Sequence, residues 1–159
     1  MLRKIFEQLI DLLFPAVCVG CGRVGSYLCR ECLTGKAELA FEVVCPVCHG
    51  LCSGYGVHSE CQQYTWFYGF SYLGRYSSVL ATAIWNAKYN FQFKILDELA
   101  NYLYLDLYSK GMLANINYIT YIPTYKHRLY WRGYNQPYYL ADIISRRAGL
   151  PLVQSMSKI

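Results

Sequence analysis

The chain has 159 residues, of which 55% are hydrophobic and 16% charged. This balance excludes a disordered polymer, and the length suits one ordinary domain or a small metal module joined to a modest core. The formal charge of +5 counts every cysteine as neutral; thiolates on two zinc ions would lower it to about zero to +2, so net charge alone argues little for a nucleic-acid partner.

The chain opens with Leu2, Ile5, Phe6, Leu9, Ile10 and Leu13 at helical spacing, and Arg3, Lys4, Glu7 and Asp11 fall on the opposite face. This predicts an amphipathic helix over 1–16, ended by Pro15. Glu7 and Asp11 interrupt what would be the apolar centre of a secretory signal. No stretch reaches the roughly 18 uncharged apolar residues of a membrane span. The expectation is a cytoplasmic chain with no membrane span.

All eight cysteines lie between positions 18 and 61. Cys18-x2-Cys21 is followed by Cys29-x2-Cys32, and Cys45-x2-Cys48 by His58-x2-Cys61, with Cys52 between. A C-x2-C pair puts two thiolates on one tight turn, and two such turns complete a tetrahedron around Zn²⁺. Disulfides would require a secreted chain, and no secretion signal is visible. The pattern predicts a double zinc ribbon over 17–63. Its ligands are Cys18, Cys21, Cys29 and Cys32 in one site, and Cys45, Cys48, Cys61 and either His58 or Cys52 in the other. Spacing favours His58. Both sites read as closed and structural.

Beyond the cysteines, Trp66 to Leu73 is an aromatic run bounded by Gly74 and reads as a strand. Ser77 or Ser78 can cap a helix to about Tyr89. Ile95, Leu99, Tyr102, Leu103 and Leu107 share the face of a second helix over 94–108, closed by Lys110 and Gly111. Asp97 and Glu98 read as its solvated side. Tyr118 to Pro123 is a compact apolar run, so a strand, a helical connection and another strand suggest a parallel βαβ unit. Tyr125 to Tyr134 reads as a polar loop carrying Lys126, His127, Arg128 and Arg132. Asn135 caps a helix to Arg147 that stops at Gly149, and Pro151 to Val153 can begin a third strand. Cations just past a strand's carboxyl end and beside a helix N-terminus suit a phosphate or pyrophosphate, with a solvated basic loop as the plainer alternative. Most of the seventeen tyrosines are expected to serve ordinary packing.

The order of these features resembles the ComF family, a zinc ribbon followed by a phosphoribosyltransferase-type domain and linked to DNA uptake in competent bacteria. The residues that carry the resemblance are Leu13-Phe14-Pro15 before Cys18-x2-Cys21-Gly22, Lys88-Tyr89 in the helix from Leu80, Ile122-Pro123, and Arg128-x3-Arg132-Gly133-Tyr134-Asn135-Gln136 followed by Leu140-Ala141. The resemblance implies an α/β fold, with an N-terminal helix and zinc ribbon ahead of the first part of a phosphoribosyltransferase-like parallel domain over 64–159. It implies contacts from Lys126, Arg128, Arg132 and Asn135 to phosphate or nucleic acid.

The family continues into a strand ending in two Asp and a Thr-Thr-Gly-x-Thr phosphate loop, and neither motif occurs in this sequence. The expectation is therefore a C-terminally shortened chain, with no phosphoribosyl transfer of its own. It would assist the handling of single-stranded DNA in natural transformation, with competence proteins as partners. The alternatives are a nucleotide-salvage phosphoribosyltransferase when full length, or a zinc ribbon that acts only as a protein-interaction module.

Overall fold

The computed structural model describes residues 15–40, 43–52 and 56–157. The helix expected over 1–16 lies outside them except for its last two positions. The described chain runs α1 (Arg30–Lys36), β1 (Val43–Val44), β2 (Leu51–Cys52), a 3-10 helix (Ser59–Tyr64), α2 (Ser78–Tyr89), α3 (Ile95–Ser109), α4 (Lys126–Arg132) and α5 (Gln136–Ala148). This is a mixed α/β arrangement: helices with one small antiparallel sheet, in which Val43 pairs with Cys52 and Val44 with Leu51. Among the described residues no helix is long and apolar enough to cross a membrane.

The three longer helices form where periodicity places them, and their ends have local causes. The Asn135 side chain accepts from the Tyr138 N–H, Pro137 sits in the first turn of α5, and Gly149 closes it in the left-handed region at φ 67°. Asp97 and Glu98 occupy the first turn of α3, where negative charge suits the helix dipole. Ser77 precedes α2, but its hydroxyl donates to Glu38 Oε1 at 2.7 Å instead of capping the helix.

One core holds most of this together. Val79, Leu80, Ala83 and Ala87 of α2 and Ile95, Leu96 and Leu99 of α3 pack with Leu28, Leu33, Cys18 and Cys32. Ala83 and Ala87 are fully buried; their small side chains let neighbouring backbones come close. Tyr134, Tyr139 and Leu140 pack on the same cluster from the α5 side. Two ligands of the first cysteine quartet, Cys18 and Cys32, therefore sit inside the helical core, and the core crosses the boundary expected between 63 and 64.

Gly20 marks how tight the junction is. A Cβ there would lie 2.6 Å from Val79 Cγ2 and 2.8 Å from Cys32 Sγ. Gly20→Ala is expected to destabilise the fold by about 1–3 kcal/mol through overpacking. A urea denaturation midpoint equal to wild type would contradict the tight junction.

Several expectations need correction. The run from Trp66 to Leu73 is not a strand of a parallel unit. Its end runs antiparallel to 38–40, with Leu39 bridged to Gly74, Ala40 N–H to Leu73 O at 3.1 Å and Arg75 N–H to Glu38 O at 2.9 Å. Trp66, Phe67 and Tyr68 are exposed, so the run has no second face buried in a sheet. Ser71 is held instead on the end of α3, its hydroxyl 2.9 Å from Asp106 Oδ2, which also takes Lys110 Nζ at 2.7 Å. The second correction is that residues 126–132 form a helix where a loop was expected. The third concerns Asp97 and Glu98, which are engaged rather than solvated, as described below.

The runs 118–123 and 151–153 are not strands either; the parallel pairing there is one isolated bridge. Ile119 bridges Leu152 in parallel, through Ile119 N–H to Pro151 O at 2.9 Å and Val153 N–H to Ile119 O at 2.8 Å. The connection between them passes through α4 and α5.

Candidate metal centres and a basic cleft

The two quartets are built alike. In each, an antiparallel pairing carries a C-x2-C knuckle: the Val17–Val24 bridge for Cys18 and Cys21, and the β1–β2 pair for Cys45 and Cys48. In each, the residue after the second cysteine turns the chain with positive φ. Gly22 does so at 74° and His49 at 61°; a left-handed backbone is easier for Gly than for His. In each, the second ligand pair starts a helix. Cys29 precedes α1 and His58 precedes the 3-10 helix, with Cys32 and Cys61 one turn on. Helix N-termini favour thiolates.

The ligand atoms of Cys18, Cys21, Cys29 and Cys32 lie within 4.8 Å of one another, as do those of Cys45, Cys48, His58 and Cys61. The Cys21 and Cys29 sulfurs are 3.8 Å apart. That is the edge of a tetrahedron with Zn–S bonds of about 2.3 Å. In the second group Cys48 Sγ is 3.2 Å from His58 Nδ1, slightly inside the edge of about 3.5 Å that Zn–S and Zn–N bonds require. His58 Nε2 faces the Leu51 carbonyl at 2.9 Å. Donating its proton there leaves Nδ1 as the lone-pair nitrogen turned to the sulfurs. His58 completes the four-atom group, and Cys52 stands outside it on β2.

The electrostatics fit a divalent cation. Burial pushes the Cys18 thiol up, but the backbone N–H groups of Cys29, Gly20 and Cys21 outweigh it and bring Cys18 down from 9.0 to about 6. Burial, then the neighbouring thiols and the Cys18 charge, push Cys32 up to about 12. Cys45 and Cys61 repeat the contrast, at about 6 and about 12. One thiolate per quartet forms readily and opposes the next, a conflict that a +2 ion removes. The residues thus fit two closed four-ligand sites that could hold zinc, whose part there would be to cross-link the chain.

Glu98 fastens the first quartet to the helices. Its carboxylate accepts the N–H of Tyr27 at 2.8 Å and the N–H of Leu28, the residues just before Cys29. Burial raises its pKa, the two N–H bonds lower it, and the Asp97 charge raises it, with a net upward shift. Asp97 accepts the Tyr139 hydroxyl at 2.9 Å, joining α3 to α5. Neither carboxylate is part of a plain solvated face.

The second constellation is a cleft of about 450 Å³. Lys88, Tyr89 and Phe91 line it from the end of α2 and the following turn; His127, Arg128, Trp131 and Arg132 line it from α4. Residues 127, 128, 131 and 132 are spaced to share one helix face. Arg132 lies over the Tyr89 ring, 5.6 Å from its centroid, and donates to Gln136 Oε1 at 3.4 Å. The Tyr134 hydroxyl donates to the Ala87 carbonyl, holding the start of α5 against α2.

Of the loop residues singled out in the sequence, His127, Arg128 and Arg132 line the cleft. Lys126 is exposed at the start of α4 and does not line it. Asn135 acts as a cap, taking the Thr124 hydroxyl at 3.1 Å and the Tyr138 N–H at 3.4 Å. Phe91 and Trp131 were not singled out; reading 126–132 as a helix would have put Trp131 beside the two arginines.

The chain matches no protein-family model, no curated protein and no solved structure.

Proposed function

We propose that this chain is a ComF-type competence protein that binds single-stranded DNA during natural transformation, with two structural zinc sites and a phosphoribosyltransferase-like helical part. The observation that carries the reading is the cleft. Lys88-Tyr89 and Arg128-x3-Arg132 are separate segments of the sequence resemblance, and in the fold they line one cavity. Cations interleaved with exposed rings suit a flexible strand, whose phosphates take the charges and whose bases stack. The parallel Ile119–Leu152 bridge, crossed by helices, supports the α/β reading.

The test is fluorescence anisotropy with a labelled oligo(dT) across a salt series. Three phosphate contacts from Lys88, Arg128 and Arg132 predict a log–log salt slope of about −2. Arg128→Ala should lower its magnitude by about 0.7. Absent or salt-insensitive binding would overturn the reading.

A second reading takes the cations as a pyrophosphate site of phosphoribosyl transfer. It is favoured by the clustering of Lys88, Arg128 and Arg132. It predicts saturable binding of phosphoribosyl pyrophosphate that competes with oligo(dT). With neither ligand bound, the zinc quartets would be the working surface, as a module for other competence proteins.

A further inference from the structure

The cleft has chemistry that phosphate binding leaves unused. Trp131 is 79% exposed and makes no ring contact among the described residues, although it lies between Arg128 and Arg132 on the lining face of α4. A large ring left bare beside three cations is not serving the core. Phe91 adds a second anomaly. It is a bulky residue with φ 57°, a left-handed backbone that disfavours any residue but Gly, and this conformation carries its ring to the cleft. The side chains of Lys88, His127 and Arg128 have no hydrogen-bond or ion-pair partner among the described residues, and no acidic side chain lines the cavity. The volume of about 450 Å³ falls in the range of about 300–1,000 Å³ usual for small-ligand clefts.

We infer that the cleft is a subsite for one unpaired nucleobase, stacked on Trp131 with Phe91 at its other side, while Arg128 and Lys88 hold the adjoining phosphates. This rests on the single-strand reading above and adds what that reading lacks, a position that recognises the base itself. A base paired in a duplex has no free face to offer a ring, whereas every unpaired base does. The subsite therefore distinguishes single from double strands without reading sequence.

The test uses the full zinc-loaded chain, an oligo(dT) of about twelve nucleotides, within usual site sizes, and an abasic phosphodiester strand of equal length. Trp131→Ala is expected to weaken oligo(dT) binding roughly ten-fold and to leave the abasic strand and the salt slope unchanged. Trp131→Phe should retain most of the affinity. Trp66→Ala, a change at an equally bare ring that does not line the cleft, should bind as wild type. If Trp131→Ala binds oligo(dT) normally while Arg128→Ala is weakened, the base subsite is wrong and the DNA reading stands. Equal weakening toward both strands also rejects stacking. If wild type binds neither strand, both fall.

Discussion

Cys32→Ala is expected to abolish the cooperative fold of the helical part as well as the N-terminal turn around the mutation. Cys32 is 2% exposed and packs in the same cluster as Val79, Ala83 and Ile95. A structural zinc site contributes about 10–16 kcal/mol of apparent binding energy at neutral pH. Whole domains are stable by only about 5–15 kcal/mol, so losing a zinc ion held there would remove an amount comparable to the stability of the whole fold. The comparison is Cys61→Ala, whose quartet contributes no residue to that cluster. Both variants should bind one zinc per chain instead of two by elemental analysis. Only Cys61→Ala should keep a sharp helical melting transition in circular dichroism. Matching melts for the two variants would contradict the placement of the first quartet in the core.

Glu98→Ala is expected to lower stability by about 2–4 kcal/mol, since two backbone N–H groups lose their acceptor at a partly buried junction. The carboxylate is well placed because it meets two donors at once, those of Tyr27 and Leu28. Glu98→Gln keeps one acceptor oxygen and turns an NH2 toward the other donor, so an intermediate loss is expected. Urea denaturation checks this: the midpoint should fall in the order wild type, Gln, Ala. If Ala is as stable as wild type, the clamp contributes nothing and burial alone joins the two parts.

The cysteine quartets were legible because C-x2-C spacing is local and has one geometric meaning. The longer helices were legible because Ile95, Leu99, Tyr102, Leu103 and Leu107 repeat with the helix, and Asn135 and Gly149 mark the ends of α5. The aromatic run from Trp66 misled because strand-forming residue types say nothing about whether a sheet exists to receive them. Helix α4 was hidden by its shortness: seven residues between Pro123 and Gly133, polar or aromatic except for Leu129, show no apolar stripe. The cleft could not be read at all before the fold, since it joins residues 88–91 to residues 127–132 through the docking of α5 on α3 and the Tyr134–Ala87 hydrogen bond. Glu98 was misassigned for the same reason, as its partners lie some seventy residues earlier.

The burial of Cys18 and Cys32 beneath α2 and α3 also has a consequence in time. Cys21 is exposed and Cys29 half-buried, so the site has a solvent-facing edge, but Cys18 and Cys32 are freed only when the helices separate. An ion seated there has a residence time set by opening of the core, a rare event that tracks global stability. The second quartet, whose buried Cys45 lies outside that helical cluster, can exchange by local fraying. Two populations of zinc should therefore leave the protein under a chelator, one promptly and one only as fast as the chain unfolds.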